Sequence, residues 1–303
     1  MPEIFQYEFM NRAIVASVLV GATAPAFGVF LVLRRLALIA DTLSHVAFAG
    51  VAIGLITKTF TPIVALIATT TAAVSIEELR MRRLLPGDAV LALFLYGALA
   101  LAVVLISAAD GFNSTIFSYL FGSLLAVSNT DLWWMVTLAL VITLFMFMFR
   151  FELAQISFDS DLAKTNGVRV HMLNLGLAVL TAATITVSMR VVGILLVGAL
   201  IVIPVLVSIR VAKGLTRTVL VSSAIGVFVA VVGMVISFYG DLAPGGTIVL
   251  TSIFLLIIVE AGGFINRSFG SSQFIQSSDH THEHEFHAHG VNESATDERQ
   301  SHR

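Results

Sequence analysis

No cysteine occurs anywhere in the sequence, which excludes disulfide staples, thiolate metal ligands and cysteine nucleophiles, and leaves the redox compartment open. Charge is also scarce. Asp, Glu, Lys and Arg make up 12% of the 303 residues while apolar types make up 57%, whereas a soluble globular chain carries about 25% charged residues. That balance describes an all-α integral membrane protein. The net charge of -2 says nothing about partners, because the two signs are separated by topology, and no nucleic-acid partner is expected. There is no GxxxxGK[ST] phosphate loop, no GxGxxG following a strand, and no GxSxG or HExxH constellation, so the chain is not expected to be an enzyme. If ATP drives it, the ATPase is a separate subunit. Glu3 and Glu8 precede the first apolar run without a basic n-region, so no cleaved signal peptide is expected.

What fills the chain is a series of about nine apolar segments, each near the ~20 residues needed to cross a bilayer. They cover residues 13–33, 36–56, 60–76, 89–107, 132–149, 173–189, 191–209, 219–238 and 247–265. The expected fold is a polytopic bundle of about eight or nine transmembrane helices, a length-based count, with tight joins near Arg34 and Arg190 that suit broken or re-entrant helices. Pro25 should kink the first span, which membrane helices tolerate better than soluble ones. Gly50 and Gly54 form a GxxxG pair that lets a neighbouring backbone approach. Basic residues collect in alternate connections, at Arg34 and Arg35, at Arg80, Arg82 and Arg83, at Arg150, Lys164 and Arg169, at Arg210, Lys213 and Arg217, and at Arg267. Those connections therefore face the cytoplasm, with the N-terminus outside and the C-terminus inside a cell membrane. Arg190 alone resists the scheme.

One span carries chemistry that lipid does not favour. Leu36 to Ile56, LALIADTLSHVAFAGVAIGLI, holds Asp41, Ser44 and His45, positions that share a helix face. A charged side chain at the centre of a membrane helix costs at least about 2.5 kcal/mol on insertion scales. A carboxylate and an imidazole one turn apart suit a divalent ion such as Zn or Mn. His45 falls near the bilayer midplane, with Asp41 one turn closer to the cytoplasm. The plainer alternative is that the two pair with each other, or with a neighbouring helix, and hold the bundle together. Glu77 and Glu78, beside Arg80, read as interfacial salt-bridge residues.

Two cytoplasmic connections are longer than turns. Arg150 to His171 is expected to form a short surface helix ended by Gly167. Ile203 to Arg217 begins at Pro204 and places Arg210, Lys213 and Arg217 on one face of a second short helix, lying flat and suited to another protein's groove. Ser114 to Asp131 reads as a re-entrant or interfacial segment on the outer side. From Asn266 the composition turns polar, which predicts a disordered tail over residues 266–303 beyond a transmembrane domain of residues 1–265. His280, His282, His284, His287 and His289 lie in that tail beside acidic residues. Such spacing chelates metal loosely.

Three stretches carry a family resemblance. ADTLSHVAFAG (Ala40 to Gly50), YLFGSLLAVSNTDL (Tyr119 to Leu132) and SMRVVGILLVGALIVIP (Ser188 to Pro204) resemble the permeases of ABC importers that take up manganese, zinc and iron. The resemblance extends over nearly all of residues 1–265, with Ala40 and Ala49 standing where the family has Gly and Pro. It implies an ABC importer permease fold and a second permease subunit across a central path, with a homodimer expected. It further implies cytoplasmic ABC ATPase subunits and an extracytoplasmic metal-binding protein. The family's metal-path residues fall on Asp41 and His45, and its ATPase-coupling element on the stretch after Pro204, including Arg210, Lys213, Gly214 and Arg217. The expected cargo is Zn or Mn, with Fe also open, and no permanently bound cofactor is expected. A proton-coupled secondary metal transporter stands as the alternative, since it too would use intramembrane Asp and His. A siderophore or cobalamin permease would need a path wider than these spans' few polar residues suit.

Overall fold

The structure, a computed structural model, describes residues 6–82, 85–108, 114–123 and 127–278. Among them are twelve helices: α1 (Glu8–Leu33), α2 (Ala37–Ile56), α3 (Thr61–Met81), α4 (Gly87–Ala108), α5 (Ser114–Phe121), α6 (Asn129–Met148), α7 (Arg150–Phe158), α8 (Ser160–Thr165), α9 (Val170–Val192), α10 (Ile194–Val211), α11 (Leu215–Gly240) and α12 (Pro244–Ser278). Nine helices among the described residues are long and apolar enough to span a membrane, the ninth being the Pro244–Gly262 part of α12. The bundle expected from composition is therefore present. The chain divides into a unit of residues 1–256 and one of residues 257–303, and the packing below lies within the first.

Helices α1 and α2 are largely enclosed by others, whereas α4 and α6 turn most of their apolar residues outward, as helices bordering lipid do. Lipid gives no hydrophobic drive between helices, so close packing through small residues has to supply the attraction. The GxxxG pair does this. A Cβ placed on Gly50 would lie 2.7 Å from Ala65 Cα, and one on Gly54 would lie 2.8 Å from Thr61 Cα, so α2 and α3 cross backbone to backbone. The crossing of α1 and α11 is equally close, since a Cβ on Gly21 would lie 2.6 Å from the Gly226 carbonyl oxygen. Pro25 explains this contact. It sits inside α1, which runs unbroken through it, and its missing N–H frees the Gly21 carbonyl. That carbonyl packs against Gly226, while the Ser223 hydroxyl donates to the Ala22 carbonyl at 2.9 Å and Ser222 reaches the Pro25 carbonyl at 3.4 Å. The neighbouring helix thus covers the backbone that proline exposes.

Between α9 and α10 the expected broken join is found at Gly193, whose φ of +88° is open to glycine but strained for other residues. The Arg150 to His171 connection forms two short helices, α7 and α8, the second capped by Asp159, which accepts from the backbone N–H groups of Asp161 and Leu162. Gly167, at φ +82°, ends it as expected.

One expectation is corrected. No separate surface helix follows Pro204; α10 continues through it to Val211, and only residues 212–214 separate α10 from α11. The reason is burial. Val205, Val207 and Ser208 pack inside the bundle, so the chain after Pro204 stays in the span although proline removes one hydrogen bond. The backbone of α12 is helical from Pro244 to Ser278. The tail histidines lie outside the described residues.

The α1 and α11 contact gives the first test. Gly226→Leu should destabilise the protein by about 1 to 3 kcal/mol or more, the cost of overpacking a site whose neighbours are backbone atoms. Thermal unfolding in detergent measures it, and an unchanged midpoint would mean that the two helices are free to separate.

Candidate functional site

Asp41 and His45 lie one turn apart on α2, both half-buried in a helix whose other faces are covered. Thr42 and Ser44, which flank them, are spoken for. The Ser44 hydroxyl donates to the Ala40 carbonyl at 2.8 Å and the Thr42 hydroxyl to the Leu38 carbonyl at 2.9 Å, so each folds back on its own helix. Ser44, expected on the same face, is fully buried and takes no part in an exposed site. Beside Asp41 passes Gly198 of α10, where an added Cβ would sit 3.4 Å from the Asp41 backbone nitrogen. α10 thus passes within van der Waals reach of this turn of α2.

Nothing in the structure neutralises the pair. Among the described residues, Asp41 and His45 make no ion pair and no hydrogen bond, with each other or with another helix, and His45 Nδ1 is buried without a partner. The simple bundle-holding alternative requires such bonds. An unpartnered buried imidazole nitrogen next to an unpaired carboxylate costs free energy unless something donates or coordinates. Within the described residues no third His, Asp or Glu joins the two, so they do not form a closed metal site.

Other ionisable groups inside the bundle behave differently. Glu77 is buried and accepts from Arg80 at 3.0 Å, and Glu78 pairs with Arg82 at 2.8 Å, with His171 at 3.8 Å. Both acids are the salt-bridge residues expected. At the same end, burial lowers the pKa of Arg34, with Glu77 opposing the shift and Arg80 adding to it. Arg190, which did not fit the charge scheme, meets Asp131 at 2.6 Å, and its guanidinium also lies 3.5 Å from the Tyr119 hydroxyl. Asp131 in turn completes a capping box with Ser128 at the start of α6. The positive charge is held by an adjacent acid, which is why its position is tolerated.

These residues tie two of the three family-like stretches together. The Ser123 N–H donates to the Arg190 carbonyl at 3.2 Å, and Gly122, at φ +77°, packs its backbone against residues 191–193. Gly245 closes on the same junction. Sequence reading missed the pairing of Arg190 with Asp131 and the neighbour role of Gly198. The pattern Ser128-Asn-Thr-Asp131 before an apolar run is a legible helix start; Gly198, in a chain of 22 glycines, carried no distinguishing signal.

The residues expected to couple to an ATPase are spread over three places. Pro204 is buried within α10, Arg210 lies in its last turn, Lys213 and Gly214 form the link, and Arg217 is in the first turn of α11. Arg210, Lys213, Gly214 and Arg217 are exposed on one end of the bundle.

Comparison with known proteins bears on the chain as a whole. The sequence profile described as the ABC 3 transport family matches residues 6–262. A Treponema pallidum protein described as a "Probable metal transport system membrane protein" is 33% identical over 258 residues, covering 85% of this chain and 97% of that one. The "Manganese import system permease protein ScaB" of Streptococcus gordonii is 29% identical, covering 84% and 91% respectively. Among solved structures, PsaBC from Streptococcus pneumoniae in complex with Fab superposes with a TM-score of 0.76 at 29% identity, over 85% of this chain and 92% of that chain. A family match over nearly the whole bundle, joined to the nine spans and their interlocked stretches, leads to one assignment: this multi-pass membrane protein belongs to the ABC 3 transport family.

Proposed function

We propose that the chain is the permease subunit of an ATP-driven importer of a divalent transition metal, and that Asp41 and His45 bind the ion on its path. The observation that carries this reading is the lack of partners for an acid and an imidazole one turn apart within a membrane span, whereas Glu77 and Arg190 are paired. A passing cation supplies what the structure omits. It offsets the carboxylate and uses the imidazole lone pair, without the permanent bonds that would block conduction. Manganese is the preferred cargo, since several relatives are described as manganese import or transport proteins; zinc and iron suit the same donors. Two ligands leave the shell incomplete, and water together with a second permease subunit facing the path completes it. That subunit is a second copy of this chain.

Energy enters through cytoplasmic ABC ATPase subunits, which engage the basic end of the bundle at Arg210, Lys213, Gly214 and Arg217. An extracytoplasmic metal-binding protein delivers the ion in the plasma membrane, and the C-terminus is cytoplasmic. The proton-coupled alternative is disfavoured by the family match.

Asp41→Asn and His45→Ala should each lower the initial rate of metal uptake at least about tenfold, by analogy with the effect of lesser changes around a metal. Yield and assembly should be unchanged, because neither side chain bonds to the fold. Uptake at the wild-type rate in either variant rejects the site.

Gly214 has φ +87° and ψ +149° at the entry to α11, a conformation closed to proline, whose φ is fixed near −65°. Gly214→Pro should leave the partner's ATP turnover in place while transport falls; equal loss of both, or neither, would count against coupling here. For the tail, we propose loose metal buffering by His280, His282, His284, His287 and His289. Removal of residues 279–303 should preserve maximal uptake and alter only the response to high internal metal, whereas complete loss with normal insertion would place the tail on the path.

A further inference from the structure

A groove of about 460 Å³ runs along α1 at the surface of the bundle, between α6 and α11. Its floor is low because Ala22 and Ala26 of α1 stand between larger neighbours, and Ile142 and Phe147 on one side and Val219 on the other form its walls. The hydroxyls that border it ask for nothing. Thr23 donates to the Leu19 carbonyl at 2.7 Å, Thr143 to the Ala139 carbonyl at 2.7 Å and Ser223 to the Ala22 carbonyl at 2.9 Å. The body of the groove is thus apolar in its demands.

Its end is not. Arg150, exposed where α6 gives way to α7, closes the groove with its guanidinium 5.4 Å from the Phe147 ring and 4.5 Å from the Phe151 ring. Those rings hold the group at the mouth through its face and leave its N–H donors unused. Among the described residues it has no ion pair and no hydrogen bond. Glu152, two positions on, points from another side of the helix and does not pair with it. The Thr216 hydroxyl, also at this end, is likewise without a partner among the described residues.

The distance from Ile142 to Arg150 is about 12 Å at 1.5 Å per residue, a little less than half of the ~30 Å hydrocarbon core. A slot of one leaflet's depth, apolar along its length and cationic at the membrane surface, matches one kind of molecule. We propose that this groove binds an anionic phospholipid, one acyl chain lying along Ala22 and Ala26 and the phosphate accepting hydrogen bonds from Arg150. Charge complementarity favours it over a second copy of the chain, which would bring an apolar wall, or another Arg150, against a guanidinium that lacks an acid. Basic pockets between membrane helices are suited to acidic headgroups.

The test uses the full chain in its native assembly, delipidated in detergent and followed by native mass spectrometry while phosphatidylglycerol or phosphatidylcholine is added. The wild type should retain phosphatidylglycerol about fivefold better, the effect of one basic contact near an anionic surface. Arg150→Gln should lower phosphatidylglycerol to the level of phosphatidylcholine, Arg150→Lys should keep most of the preference, and Thr143→Trp, which fills the slot from an exposed position, should reduce both lipids. Equal retention by the wild type, or a preference that survives Arg150→Gln, overturns the proposal. So does displacement of the lipid by inorganic phosphate alone, which would mean an anion site without a chain. Because the chain has no cysteine, Leu220→Cys serves as a clean probe of the rim. Disulfide crosslinking between copies there would show that a second permease, and not lipid, covers the groove.

Discussion

An ionisable side chain inside hydrocarbon has to be paired, moved to the surface or put to use, and much of this molecule follows from that constraint. Arg190 is met by Asp131, Glu77 by Arg80, and Glu78 by Arg82, so the charges near the ends of the spans are balanced in place. Asp41 and His45 are not. Their exposed faces and the orphaned His45 Nδ1 mark the one place among the described spans where a half-buried acid and base were left open side by side. Protein stability gains nothing from this arrangement, which is why we propose the pair as the place where a passing cation binds.

The same constraint governs how α2 is held. With no hydrophobic drive between helices in lipid, its position depends on contact between backbones through Gly50 and Gly54 against α3, while α10 passes beside Asp41 at Gly198. The α9 and α10 break at Gly193 is locked against α5 and the start of α12 by glycines at 122 and 245, with Arg190 and Asp131 as the polar clasp. α10 leaves that clasp, passes Asp41 and ends at the exposed basic link before α11. A single helix therefore joins the lock at Gly193, the candidate metal ligands and the proposed ATPase contact.

Much of this was legible in the sequence. The nine spans follow from run length, the Gly50/Gly54 crossing from spacing, and the Asp41/His45 turn from the cost of polar groups in lipid. Glu77 and Glu78 were placed correctly by their basic neighbours. Pro204 misled because proline ends helices in water, whereas in a buried span the packing of Val205, Val207 and Ser208 outweighs one lost hydrogen bond. Arg190 looked anomalous because its partner lies 59 positions away, and no local pattern encodes that pairing. Gly198 was hidden for the same reason: its meaning lies in what it faces.

Direct observation of the ion would test the central claim most severely. Anomalous scattering at the manganese edge, from crystals of the complete importer soaked in Mn(II), locates the metal without reference to transport activity. The account predicts a peak within coordination distance of both the Asp41 carboxylate and the His45 imidazole, absent in His45→Ala. A peak elsewhere in the membrane region with this pair left empty at saturating metal would contradict it.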